Sequence, residues 1–270
     1  MIKKLYIGLF CLLILGLAGC TKTIKDTLAN VNAQGEHAEG NQVKSLTATG
    51  LTKLDIQNGV GDIKITVGKD DNITVKADVK VQGADTEEQA KEILELIVLI
   101  QEKDKETASY YAAAKGSESI NLEKWLKDTY GSKLNLIITI TATIPESIAS
   151  FHVIEGVGNI SIDDSNISGV ITSGVGDIVL KGVAFVEKTD ITSGTGSIKV
   201  IARKVDQAKS VHAVAGVGDI TLSIPEKASY SVDISAFMKD DVKQDYNGGG
   251  PLFTLKTGVG SVKQIKNELK

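Results

Sequence analysis

Residues Thr172–Gly182 read TSGVGDIVLKG, and the centre of that stretch returns five more times: GVGDI from Gly59, GVGNI from Gly156, GTGSI from Gly194, GVGDI from Gly216 and GVGSV from Gly258. Aligned on the first glycine, the copies are apolar three residues before it, at Ile56, Val153, Ile171, Ile191, Ala213 and Leu255. They are apolar again two residues after the second glycine, at Ile63, Ile160, Ile178, Ile198, Ile220 and Val262. Two positions further stand Ile65, Ile162, Leu180, Val200 and Leu222, with Gln264 breaking the rule. Between these inward candidates lie Lys64, Ser161, Val179, Lys199, Thr221 and Lys263. The alternation has the period of a strand with one buried face.

Each copy therefore predicts strand, tight corner, strand. The corners are Gly59/Gly61, Gly156/Gly158, Gly174/Gly176, Gly194/Gly196, Gly216/Gly218 and Gly258/Gly260. Glycine suits them because it reaches positive φ and lets backbones approach closely. The residue after the second glycine is small and polar (Asp62, Asn159, Asp177, Ser197, Asp219, Ser261), a type that bonds amides of its own turn. A dinucleotide loop would need a third glycine and a following helix, and a strand follows here. A calcium-binding nonapeptide repeat would need a tighter period and an aspartate in every copy. Turn chemistry is the better reading.

From Gly156 onward the first glycines are 18, 20, 22 and 42 residues apart. The last gap reads as two units, with an unmarked one near Tyr230–Val242. A period near twenty with short strands predicts a mainly all-β fold: a parallel β-solenoid, or β-helix, whose coils bury their apolar faces only by stacking. One small helical insertion interrupts it. After the first copy, Asp85 is placed to cap a helix whose face is Ala90, Ile93, Leu94 and Ile97, ending near Glu95. Leu122, Trp125 and Leu126 suit a second short helix ending at Gly131, and Asn135–Ile144 reads as a strand stopped by Pro145. Trp125, the only tryptophan, is expected to cover the open end of the stack rather than to form an aromatic platform.

The chain opens MIKKLYIGLFCLLILGLAGC: Lys3 and Lys4, an apolar run, then Leu17-Ala18-Gly19-Cys20. The run is short for a membrane span and has the order of a secretory signal. Its end resembles the lipobox of bacterial lipoproteins, which implies cleavage before Cys20 and lipid on that residue. Cys11 would leave with the signal, so the mature chain would have no disulfide framework. Loss of Lys3 and Lys4 takes the net charge from −4 to −6. That acidity argues against nucleic acid as a partner and leaves membrane contact to the lipid anchor. The expected organisation is a signal peptide over 1–19, lipidated Cys20 and a polar tether over 20–48, N-terminal strands with the helical insertion over 49–145, and solenoid repeats over 146–270.

Lipobox, GVGDI-type repeats and a helical interruption after the first copy together resemble the bacterial "putative adhesin" family, over about Leu51–Ile265. That resemblance implies a lipoprotein β-solenoid of unknown function. Its members commonly read TGSGDI where this chain has mostly GVGDI, and it supplies no catalytic or binding residues.

The residues themselves offer little chemistry. His37 falls in the expected tether, while His152 and His212 occupy the same outward position three units apart, too distant to share a metal. No serine sits on a nucleophile elbow. Arg203 is the only arginine, and the pairs Asp163-Asp164 and Asp240-Asp241 point opposite ways in a strand or are solvated in a turn. The expectation is a non-enzymatic protein without cofactor or metal. It would be lipid-anchored on the extracytoplasmic side of a bacterial membrane and act as an adhesin-like or structural module toward a cell-surface polymer or protein. The alternative is a polysaccharide lyase or hydrolase on the same scaffold.

Overall fold

The computed structural model describes residues 35–236 and 242–267. Cys20, with the expected signal peptide and most of the tether, lies outside the described residues, and so does the Asp240-Asp241 pair. The chain begins with β1 (Glu36–Thr47), β2 (Lys53–Val60), β3 (Ile63–Val67) and β4 (Asn72–Ala84). Helix α1 (Glu87–Leu96), β5 (Ile97–Asp104), β6 (Thr107–Ala114), α2 (Leu122–Tyr130) and β7 (Asn135–Ile144) follow. Then come β8 (Ser150–Val157), β9 (Ile160–Asp163), β10 (Asn166–Val175), β11 (Ile178–Thr195) and β12 (Ile198–Lys204). The last strands are β13 (Ser210–Val217), β14 (Ile220–Pro225), β15 (Tyr230–Ala236), β16 (Val242–Tyr246), β17 (Leu252–Val259) and β18 (Val262–Asn267).

The eighteen strands of the described residues belong to one mixed sheet, nearly closed around the core like a barrel. It divides at the Gly-x-Gly corners into two ladders. The first runs β5-β6-β2-β8-β10-β11-β13-β17-β15-β16 and the second β1-β4-β7-β3-β9-β11-β12-β14-β18, with the long β11 bending through both. Pairing is parallel through the middle of each. It turns antiparallel at β5–β6, β1–β4, β4–β7 and β15–β16. The expectation of a wholly parallel sheet is thereby corrected. The repeated strands pair in parallel with one another, while the non-repeated ends add antiparallel pairs, of which β5–β6 and β15–β16 join strands consecutive in the chain.

Ile63, Ile160, Ile178, Ile198 and Ile220 form one register row and are at most 1% exposed. One apolar cluster reaches from Ala48 to Leu255. A smaller one, with Ala90 and Ile93 of α1, Leu126 of α2, Ala38 and Val81, lies at the N-terminal end. The helices start where short polar side chains meet free amides. Thr86, rather than Asp85, caps α1 by accepting from the Gln89 amide, and Gln89 Oε1 accepts from the Asp85 amide. Asn121 caps α2, which stops at Gly131 (φ 83°). Trp125 is half-buried, touches both clusters and meets Tyr130 edge-on at 5.6 Å, so it packs beneath the end of the stack.

Two further expectations change. The stretch read as tether contains β1, whose twelve residues pair with β4. Its polar sequence hides the strand because only one side of it meets the protein. Nor is Tyr230–Val242 a unit between the Gly216 and Gly258 copies. β13 pairs directly with β17 and β14 with β18. β15 lies beyond β17, and β16 folds back on it. At this end Gln264 stands over Leu222 and donates to the Tyr230 hydroxyl at 2.7 Å. The residue that breaks the apolar rule therefore closes the core, as terminal repeats do.

Candidate functional site

The Gly-x-Gly corners stack into two columns. The first glycines succeed one another as Gly59, Gly156, Gly174, Gly194, Gly216 and Gly258, and a Cβ on Gly174 would stand 2.5 Å from the Gly156 carbonyl oxygen. The second glycines follow in the same order as Gly61, Gly158, Gly176, Gly196, Gly218 and Gly260, and all six have positive φ. A side chain at any of them would be strained as well as crowded. Gly176 has φ 148°, and a Cβ there would collide with the Gly158 carbonyl. The same contact recurs up the column: a Cβ on Gly196 would stand 2.1 Å from Gly176 O, and one on Gly260 2.1 Å from Gly218 O. At the foot of the column Gly61 has no repeat below it and faces the Ile138 carbonyl of β7 instead, 2.2 Å from where its Cβ would be. Each second-glycine amide from Gly61 to Gly218 donates to the next unit, as from Gly176 to Thr195 O at 2.8 Å. The glycines are thus required by backbone meeting backbone. The first column ends at Gly59 against the carboxylate of Glu123 on α2.

The small polar residues form a ladder between units rather than within turns. Asp62 Oδ1 accepts the Asn159 amide at 2.8 Å, Asn159 Oδ1 that of Asp177 at 2.9 Å, and Asp177 Oδ1 that of Ser197 at 2.7 Å. Asp219 Oδ1 accepts the Ser261 amide at 2.7 Å. Any short side chain with an acceptor oxygen serves, which explains why the position drifts among Asp, Asn and Ser.

An inward column just before the first glycine escaped the sequence reading. Ser173 and Ser193 donate to the carbonyls of Gly158 and Gly176 at 3.0 and 2.9 Å, and Thr257 to Gly218 at 2.8 Å. In the same column Glu155 is 1% exposed. Its Oε2 accepts from Asn58 Nδ2 at 2.8 Å, while Oε1 has no hydrogen-bond partner among the described residues. Burial pushes the Glu155 carboxyl up to about 8, against the opposing Asn58 hydrogen bond, so it is protonated at neutral pH. The signal was available: a glutamate stands where the other copies have Asn, Ser, Ala or Thr.

Outward, the first ladder presents regular rows of side chains. Thr172, Thr192 and Val214 form one row, and Val175, Thr195 and Val217 another at the corner. Val214 and Val217 are 38% and 43% exposed. Charged and titratable groups stand to one side. His152 Nδ1 meets Asp55 at 3.1 Å, which raises the imidazole pKa, and Lys188 pairs with Asp190. His212 lies opposite Asp190, three units from His152 as expected. Arg203 is committed to the scaffold, donating from Nε to Gly182 O at 2.7 Å and from Nη2 to Asn166 Oδ1 at 2.9 Å. Among the described residues no three His, Cys, Asp or Glu side chains come together as a metal site.

No model of a known protein family matches the chain, and no curated protein does. Solved structures offer distant likenesses. One is a putative cell adhesion protein of Clostridium sporogenes, 13% identical over 85% of this chain and 100% of that one, with a TM-score of 0.47. Another is a putative adhesin of Bacteroides fragilis, 18% identical over 84% and 97%, with a TM-score of 0.41. A third is a putative lipid binding protein of Parabacteroides distasonis, 9% identical over 84% and 95%, with a TM-score of 0.31. At these scores the likenesses decide neither fold nor function.

Proposed function

We propose that the chain is a lipid-anchored, non-enzymatic binding module of the bacterial envelope. It is held at Cys20 on the extracytoplasmic side and displays one rigid sheet face to a protein partner at the cell surface. Its repeated units form successive turns of a parallel β-solenoid with an antiparallel hairpin at each end of the first ladder. The observation that carries this reading is the outer face of the first ladder. Over four successive units its two central rows hold only Ile, Val and Thr, without charge and without an aromatic ring. Backbone hydrogen bonds fix that face, so little order is lost on contact. The missing aromatics favour protein over sugar, because saccharides are held largely by ring stacking. The side chains that would do chemistry in a lyase, Arg203 and the corner aspartates, are engaged in backbone hydrogen bonds.

The test has two parts. Fractionated producer cells should keep the chain with membranes, and Cys20→Ala should release it or leave it unprocessed. Thr192→Glu with Val214→Glu should abolish binding to cell-surface protein while leaving Tm within a few degrees. Turnover of a polysaccharide or peptidoglycan, lost on changing one outer aspartate, would overturn the reading in favour of the enzyme.

A further inference from the structure

Each unit offers the next a fixed set of backbone groups. The amides of the second glycine and of the residue two further on donate to it, as Gly218 N does to Val259 O at 2.8 Å and Ile220 N to Ser261 O at 2.9 Å. In the last unit the same two amides, Gly260 and Val262, have no acceptor among the described residues. There β18 pairs only with β14, so its other side is a strand edge whose backbone groups are left over. β15 and β16 extend only the first ladder past this unit.

The opposite end of the stack is closed by substitutes. Glu123 Oε1 stands 2.5 Å from where a Gly59 Cβ would be, the place that Gly156 O has against Gly174, and Ile138 O fills the corresponding place at Gly61. At the β5 edge Gln42 accepts from the Leu99 amide at 2.8 Å and donates to Ile97 O. β1 lies under α1, with Ala38 in the smaller apolar cluster. The edge strands also differ in charge. β1, β5 and β16 each carry both signs, as with Lys243 and Asp245 of β16. β18 carries Lys263 and Lys266 and no acid. Both lysines are exposed, and neither has an ion pair among the described residues. Ile265, between them, is 40% exposed.

We infer that β18 is a docking edge for an extended acidic segment of another protein, which adds to the second ladder as one more strand. An edge with donors and acceptors in alternation calls for a peptide backbone, which supplies both, rather than for a lone anion. The segment pairs beyond the corner, over Val262–Asn267. A residue above Gly258 or Gly260 would have to be glycine, because at every lower step a Cβ there meets the carbonyl beneath it. Carboxylates of the segment would lie beside Lys263 and Lys266. Lysines on an edge repel a like strand and admit one of opposite charge.

Short fluorescent peptides test this on the full chain in non-ionic detergent. One alternates threonine with glutamate, a second threonine with lysine, and a third is the glutamate peptide with alternate backbone nitrogens methylated. The glutamate peptide should bind and should slow hydrogen exchange at the β18 amides, while the other two should do neither. Lys263→Glu with Lys266→Glu should weaken the glutamate peptide by about tenfold and transfer binding to the lysine peptide. Lys263→Thr with Lys266→Thr should weaken the glutamate peptide as well. If that variant instead bound both peptides better, the lysines would be guards against strand addition, and the inference would fall. Equal binding of the methylated peptide would reduce the contact to charge alone and overturn it. So would protection elsewhere than β18, or no binding of the glutamate peptide. None of these results bears on whether the outer face of the first ladder binds a partner.

Discussion

Between Gly156 and Gly218 the chain lays down its units in the order in which they stack, and at both ends it does not. The Gly59 unit sits directly on the Gly156 unit although 97 residues separate them, because β2 pairs with β8 and β3 with β9. The intervening chain goes outward, and β6 and β7 cover the far side of that unit. The C-terminal end repeats the manoeuvre in reverse. β15 and β16 are laid down first as a cover, and β17 returns to fill the gap against β13. Neighbouring units find each other through the glycine columns and the amide ladder. Sequence adjacency is sufficient for that in the middle and unnecessary at the ends.

If the columns set the order, breaking one should be the most damaging single change. Gly176→Ala puts a Cβ into the Gly158 carbonyl and forces alanine to φ 148°. Relief would require two units to part, so the cost should exceed about 4–5 kcal/mol and soluble protein should be lost. An alanine variant that melts within a few degrees of the parent would show that the columns tolerate side chains. Gly248→Ala is the control at an end: φ is 89° but nothing lies within 4 Å of the added Cβ, so only local strain is paid there.

The apolar rows come next. Ile198 is fully buried between Ile178 and Ile220, so Ile198→Ala should cost about 2–5 kcal/mol in denaturant titration. Lys199 is exposed, and Lys199→Ala should stay within about 0.5 kcal/mol. Equal losses at the two positions would mean that the in/out register is wrong.

Glu155 sharpens the comparison from the N-terminal end, where the 97-residue excursion rejoins the stack. Its folded carboxyl titrates at about 8, against an ordinary value of 4.5. The folded state therefore holds a proton that the unfolded chain has already released. The contribution of Glu155 to stability is greatest at low pH and falls as pH rises from 4.5 toward 8. Above that both states are ionised and the loss levels off. Each unit of displacement corresponds to about 1.4 kcal/mol. Glu155→Gln keeps the shape and removes the ionisation, so its stability should be flatter over this window and higher than the parent's above about pH 8. A slope of the same size in Glu155→Gln would assign the effect to another group.

How much of this was legible follows from what repeats. The inward isoleucines, the corner glycines and the β7 strand were readable because alternation and spacing act locally. What the glycines pack against was not: spacing marks Gly61, Gly196 and Gly260 as corners, but the carbonyl each one meets belongs to another strand. The ends were not legible either. β1 has a polar sequence because much of it faces solvent. The Tyr230–Val242 stretch looks like a skipped unit because its spacing alone cannot say on which side of β17 it lies. Glu155 was missed because its column faces inward while carrying polar residues, which the apolar-in rule passes over. Gln264 was noticed as an exception, but its reason is that nothing among the described residues stacks above it.

The smallest expected effect lies in the amide ladder. Asp177 Oδ1 accepts the Ser197 amide, and the Asp177 amide donates to Asn159 Oδ1. Asn159 already fills this role with a carboxamide oxygen, so Asp177→Asn keeps the acceptor and removes only a charge that is exposed to solvent. Its change should fall within about 0.5 kcal/mol. Asp177→Ala removes the acceptor and should cost about 1 kcal/mol, one hydrogen bond's net contribution. The difference between the two variants isolates the hydrogen bond from the charge. Were the aspartates a cation site instead, calcium would raise the parent's Tm and Asp177→Asn would abolish that rise. A ladder built on acceptor oxygens predicts no calcium dependence in either protein, and the same ranking of Asn above Ala at position 219, where Asp219 accepts the Ser261 amide in the last unit.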